Sequence, residues 1–314
     1  MKSNERFLVT GGAGFIGSNI CEFLLDKGYS VRCFDNLSTG KIENIVDFQQ
    51  NNKFEFVHGD IRNSKDCEQA MNNIDFVLHQ AALGSVPRSL KEPKLYCENN
   101  IDGFLNILEA ARNNNVKRVV YASSSSVYGD STSLPKKEGE EGMILSPYAL
   151  TKESNEKWAK IYTTYYGLDT IGLRYFNVFG KKQNPEGMYA AVIPKFINCI
   201  KNGIVPQIYG DGMQSRDFTY IKNVVNANYL ACFSDKSSVG KCYNIASSQR
   251  IFLIDLYRMI AKEYGLEEEP IYAEERQGDI RDSFADITLA KKYLNYYPEY
   301  TFEKGLLETI KWYN

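Results

Sequence analysis

The segment Thr10-Gly-Gly-Ala-Gly-Phe-Ile-Gly17 constrains this chain more than any other. The apolar run Arg6-Phe-Leu-Val-Thr10 leads into it, and Ile16, Ile20, Phe23 and Leu24 follow at helical spacing. Gly28 then closes the helix as a C′ glycine does. A strand that turns through glycines into a helix gathers backbone N–H groups and the positive end of the helix dipole at one point. Such a turn suits a pyrophosphate, because missing side chains let the anion approach the backbone. Gly12, Gly14 and Gly17 satisfy GxGxxG, and Gly11, Gly14 and Gly17 satisfy GxxGxxG. Either pattern alone is weak evidence. Here a strand precedes it, a helix follows, and Asp35 stands 18 residues past Gly17, after the β-rich run Tyr29–Phe34. A carboxylate there hydrogen-bonds ribose hydroxyls and repels a 2′-phosphate, so NAD is expected rather than NADP.

The alternation continues. Phe54–Val57, Asp75–Leu78, Arg118–Ala122 and Thr170–Arg174 read as strands, with helices over Tyr96–Arg112 and from Tyr148 onward. Strands separated by helices predict an α/β fold with a Rossmann-type, doubly wound parallel sheet. After Asn177 loops lengthen and Pro, Gly and aromatic residues cluster. We expect an NAD-binding domain over 1–176 and a smaller mixed α/β substrate domain over 177–314. A helix over Tyr220–Ala231 and a strand at Cys242–Ile245 are expected to return to the first sheet.

Composition excludes several classes. The 37 basic and 39 acidic residues leave a net charge of −2, against a duplex nucleic-acid binder. Seven scattered cysteines without a CxxC pair read as reduced thiols of a cytoplasmic protein. Two histidines exclude a multi-histidine metal site, and no metal is expected. The start, Met-Lys-Ser-Asn-Glu-Arg, has no signal-peptide pattern, and no apolar run approaches the ~18 residues of a membrane span.

Ser123-Ser-Ser-Ser126 ends the fifth strand, at the sheet edge where open α/β proteins bind ligands. Tyr148 and Lys152 are four apart on one predicted helix face. With Ser124 they form a candidate proton-transfer set. A neighbouring cation favours a phenolate, so Lys152 is expected to draw the Tyr148 pKa down toward neutrality and make it a general base.

These pieces resemble the extended short-chain dehydrogenase/reductases over essentially the whole chain. The matching motifs are TGGAGFIG (10–17), FDNLSTG (34–40), GDIR (59–62), HQAA (79–82), SSSSVYG (123–129), SPYALTK (146–152) and LRYFNVFG (173–180). AALGSVPRS (81–89), GMYAAVIPK (187–195), GDGMQSRDF (210–218) and ERQGDIRDS (275–283) are similar to nucleotide-sugar 4-epimerases of the kind that prefers N-acetylated UDP-hexoses. The resemblance implies that Gly11, Gly14, Phe15, Ile16, Gly17, Asp35, Asn36, Ser38, Thr39 and Gly40 hold NAD. It puts Asp60 and Ile61 at the adenine and Gln80, Ala81 and Ala82 along the pyrophosphate, with Asn99 near. Lys152 would bind the nicotinamide ribose and Phe176 would back the ring. Gly84, Ser85, Ser124, Ser125, Ser126, Tyr148 and Asn177 would meet sugar or diphosphate. Ala191, Val192 and Tyr209 would hold uridine, and Arg216, Arg276 and Asp279 the diphosphate and its ribose. Ser283, Gly84 and Ala191 are small, which implies room for an N-acetyl group. A homodimer is also implied.

Three other readings compete. A 4,6-dehydratase would carry an acid where Ser124-Ser-Ser126 stands, and none is there. A uronate epimerase or decarboxylase would need a cation facing C6, for which Arg88 is available. A non-catalytic NAD-binding regulator would not need the intact Tyr148 and Lys152.

Overall fold

The computed structural model describes residues 5–186, 191–275 and 281–314. Six strands alternate with helices: β1 (Arg6–Thr10), β2 (Ser30–Asp35), β3 (Phe54–His58), β4 (Phe76–His79), β5 (Arg118–Ser124) and β6 (Thr170–Tyr175). Lys241–Ile245 pairs parallel with β6 and becomes the sheet's other edge. The order across the sheet is Lys241–Ile245, β6, β5, β4, β1, β2, β3, and every pairing is parallel.

Alternation along each strand divides the core in two. Phe7 and Val9 of β1 join one apolar cluster while Leu8 joins the other. All three are fully buried, and each such side chain contributes roughly 1.5–3 kcal/mol. The Phe15–Asp26 helix packs beside Ile221–Phe233 on the first face, and Ser64–Met71 packs beside Gly103–Asn113 on the second. The second face is thus covered by local helices. The first borrows one from 200 residues further along the chain, and Tyr29 and Tyr229 share a hydrogen bond across that join.

Connections between strands run in opposite directions on either side of β1, which lies between β2 and β4. That switch opens a crevice above the strand ends. Over it sits a region held by two-stranded ladders. Val178–Phe179 pairs with Thr219–Tyr220, Ser215–Arg216 with Ile251–Phe252, and Gln207–Tyr209 with Ile271–Ala273. Among the described residues no helix is long and apolar enough to cross a membrane.

Candidate active site

The glycine loop opens the crevice because nothing larger fits it. Gly11 has φ +64, and a Cβ there would stand 2.7 Å from the Ala81 nitrogen. At Gly17 a Cβ would lie 2.1 Å from the Gly11 carbonyl oxygen, so the helix can begin this close to the turn only as glycine. The Asp35 carboxylate accepts N–H bonds from Ala13 at 3.0 Å and Leu37 at 2.8 Å. It therefore ties the glycine loop to the end of β2. Burial nevertheless raises its pKa above the ordinary value, those two bonds working against the rise.

A cavity of about 350 Å³ runs from this loop along the strand ends. Its walls include Gly11, Gly14, Phe15, Ile16, Gly17, Asp35, Asn36, Ser38, Thr39, Ile61, Gln80, Ala81, Ala82 and Asn99. Gly84, Ser124, Tyr148, Lys152 and Asn177 form the far end. A second cavity of about 390 Å³ shares Gly84, Asn177 and Val178 with the first, so the two meet there. It is lined by Ser85, Ala191, Val192, Tyr209 and Arg216, together with Lys195, Gln207, Gln214 and Phe218.

The helix Pro147–Tyr166 carries the candidate proton-transfer pair. Ser146 caps it by accepting from the Ala149 N–H, Pro147 supplies the first turn, and Gly167 ends it at φ +70. One turn separates Tyr148 and Lys152, and both face the cavity. The Lys152 ammonium donates to the Ala122 carbonyl at 2.8 Å. Burial lowers its pKa to about 8, and Glu156 acts in the opposite direction. The expected lowering of Tyr148 is not found. Burial raises its pKa above the ordinary phenol value, a hydrogen bond with Ser124 draws it down, and Tyr96 raises it further. Ser124 is itself held, accepting from the Ser126 N–H at 3.1 Å and its hydroxyl at 3.0 Å.

Several residues named from sequence stand off the walls. Phe176 is fully buried, its ring 6.0 Å from that of Tyr128, and is on neither cavity wall, whereas Tyr175 lines the cavity, bonded to Gln80. The Asp60 carboxylate is taken by Arg62 and Asn36, and Gly59 and Ile61 flank the cavity. Gly40 packs against Asp35, where a Cβ would come within 2.9 Å of its oxygens. Ser125 is off both walls, and Ser126 reaches the site through Ser124. Ser283 also lies behind the wall, accepting from Asn177 Nδ2 at 3.4 Å. Arg276 and Asp279 fall outside the described residues.

Residues 7–246 match the NAD dependent epimerase/dehydratase family. The chain is similar to the UDP-N-acetylglucosamine 4-epimerase from Methanobrevibacter ruminantium M1, solved in complex with UDP-N-acetylmuramic acid. The two are 43% identical with a TM-score of 0.94, covering 100% of this chain and 99% of that one. A putative UDP-glucose 4-epimerase of Methanocaldococcus jannaschii is 38% identical over 97% of both chains. A UDP-glucuronate 4-epimerase of Thermodesulfobacterium geofontis is 36% identical over 98% of this chain and 95% of its own. The chain belongs to the NAD dependent epimerase/dehydratase family.

The glycine cradle fits the family's cofactor, NAD, because it leaves its backbone open to a pyrophosphate at a helix N-terminus. Two supports of this epimerase/dehydratase site are given no role by the sequence reading, although one of them, Asp217, lies within GDGMQSRDF (210–218). Between Pro93 and Asn113 the expected single helix contains a π-helical turn, Glu98–Asp102. That turn aims Asn99 at the cavity and lets Asn100 bond both Leu83 backbone groups and the Thr151 hydroxyl. Such turns often occur at functional sites. The second support is Asp217. It is fully buried and accepts N–H bonds from Ser247 at 3.1 Å and Ala285 at 3.2 Å. Its carbonyl accepts from Asn177 at 3.1 Å. It thereby joins three distant segments beside the second cavity. Burial pushes its carboxyl up to about 7, and its backbone hydrogen bonds oppose this.

Proposed function

We propose that this protein is a UDP-sugar 4-epimerase that interconverts UDP-GlcNAc and UDP-GalNAc, with weaker turnover of UDP-Glc and UDP-Gal. The observation that carries the reading is the meeting of the two cavities at Gly84 and Asn177, beside Tyr148 and Ser124. A cofactor in the first and a nucleotide in the second would bring a sugar to that junction.

Residues 1–176 with 217–246 form the cofactor-binding unit in this reading, and the remainder forms the nucleotide-sugar unit. Tyr148, entering the step as the phenolate, takes the 4-hydroxyl proton as the C4–O bond becomes a carbonyl. Ser124 holds the phenol and the sugar oxygen in line, and Lys152 holds the ribose on the cofactor side. NAD, held by the glycine loop and Asp35, would supply the acceptor and donor for the C4 hydride. Tyr148 then gives its proton back to O4 after the 4-keto sugar has turned in the pocket, so the net change is inversion at C4. Asp35 selects NAD over NADP. Arg216, with Arg276 and Asp279, meets the diphosphate and its ribose, and Ala191, Val192 and Tyr209 meet uridine.

Small residues favour the N-acetyl substrate. A Cβ at Gly84 would meet nothing within 4 Å, so the junction has free volume. Ser283 lies behind Asn177 rather than on the wall, and Ser283→Tyr would push through to the sugar. Arg88, the cation available to the uronate reading, pairs with Glu92 at 2.9 Å and is on neither cavity wall, which favours the N-acetyl reading. Incubation with UDP-GlcNAc, UDP-Glc and UDP-GlcA, with products resolved by NMR, tests the proposal. Epimerisation of UDP-GlcNAc that Ser283→Tyr abolishes while UDP-Glc turnover survives is expected. Turnover of UDP-GlcA alone, or of UDP-Glc alone, overturns the N-acetyl reading.

The same helix supports a homodimer. Leu150, Trp158, Ile161 and Tyr165 are exposed along one side of it, at spacings that share a face. Light scattering after gel filtration is expected to give twice the chain mass of 35.8 kDa.

A further inference from the structure

One turn beyond Lys152, the same helix carries Glu156, which lies on neither cavity wall. Its carboxylate accepts from the Ser123 hydroxyl at 2.5 Å and from Arg174 through Nε at 2.8 Å and a terminal nitrogen at 2.7 Å. Ser123 and Arg174 are register partners on β5 and β6. Lys152 holds the carbonyl of Ala122, the residue before Ser123. The helix therefore grips adjacent residues of β5 with two opposite charges. Arg174 also pairs with Glu141. Two carboxylates share one guanidinium, which leaves a net negative charge behind the buried Lys152 ammonium.

We propose that Glu156 is a positioning residue that locks the Tyr148 helix onto the ends of β5 and β6 and keeps Lys152 charged. The proposal rests on the roles given above to Tyr148 and Lys152. Burial disfavours the ammonium, and Glu156 is the group opposing that effect. Other titratable groups nearby supply no comparable charge. His79 on β4 is pushed down to about 3 by burial and by Lys152, so it is neutral. Tyr121 on β5 and Cys242 on the edge strand both face Glu156, and burial raises both. Tyr128 and Glu138 face Arg174 and are likewise raised by burial.

Glu156→Gln keeps the shape and removes the charge. Glu156→Gln combined with Arg174→Gln removes both members of this pair, so the Arg174 guanidinium is not left facing an uncharged partner, and the exposed Glu141 loses its pair to solvent. The holoenzyme is prepared with ¹³C-labelled lysine, and the Lys152 ε-carbon signal is assigned through Lys152→Arg. In both variants the Lys152 midpoint is expected to fall by about 1 pH unit or more, the scale for a close opposite charge. The alkaline limb of kcat/KM is expected to move with it. Glu141→Gln, on an exposed loop, is expected to move it much less. An unmoved Lys152 midpoint in both Glu156 variants, with activity lost only in step with Tm, overturns the proposal. Wild-type enzyme inactive on every UDP-sugar would overturn the functional reading instead, and the titration would still decide the role of Glu156.

Discussion

The two cavities meet at one seam yet are built by different rules. The walls of the cofactor cavity come from the ends of successive strands, each carrying its own short motif: 11–17 after β1, 35–39 after β2, 59–61 after β3 and 80–84 after β4. The second cavity draws on 84–87, 177–179, 191–196, 207–218 and 253. Two- and three-residue ladders and the buried Asp217 hold those segments together. A backbone cradle for an anion demands glycine at set spacings. A pocket made of side chains from distant loops demands only that the loops be held.

The sharpest test of this contrast lies at the seam. Tyr148→Phe keeps the ring and removes the oxygen proposed to accept the proton. Turnover is expected to fall by ~100-fold or more, with NAD content and Tm nearly unchanged. Near-normal turnover would move the base elsewhere and leave the seam without chemistry.

The cofactor side breaks next. Gly17→Val drives a branched side chain into the Gly11 carbonyl. Overpacking of this kind costs about 1–3 kcal/mol, so NAD retained through purification is expected to drop ~10-fold, read from the absorbance of the released nucleotide. Full retention would show that the loop tolerates bulk and that the cradle argument fails.

On the other side, Lys195 is half-buried and lines the second cavity with Arg216. If it contacts the diphosphate, Lys195→Ala removes one charge-assisted bond and raises the KM for UDP-sugar by about 10-fold. The expected kcat and NAD content are those of wild type. An effect on NAD content in place of KM would erase the division between the cavities.

A test on stability rather than turnover concerns Asp217. Its folded pKa of about 7 lies above the ordinary 3.8. Stability linked to its proton is therefore complete below about pH 4 and is lost as pH rises through 7. The amide of Asp217→Asn does not titrate. Wild-type Tm is accordingly expected to fall relative to the variant between pH 4 and 7.5 in thermal melts. A constant difference across that range would mean that the carboxylate is not desolvated as its burial implies.

Asp35 shows the limit of reading a motif. The motif reading makes it a ribose ligand at the end of β2, but its two bonds to Ala13 and Leu37 make it a brace of the loop. The π-helical turn at Glu98–Asp102 was not legible, since one extra residue per turn leaves the apolar pattern of a helix almost intact.

Periodicity and glycine spacing alone determined the parallel α/β layers and the dinucleotide loop, because both are set by backbone geometry over a few consecutive residues. Which face each side chain presents at the strand ends was decided in three dimensions. Tyr175 rather than Phe176 reaches the cleft, burial raises Tyr148 rather than Lys152 lowering it, and Asp217 joins loops about 30 and 68 residues away. These outcomes depend on desolvation and on partners supplied by other segments, which exist only once the chain has closed around them.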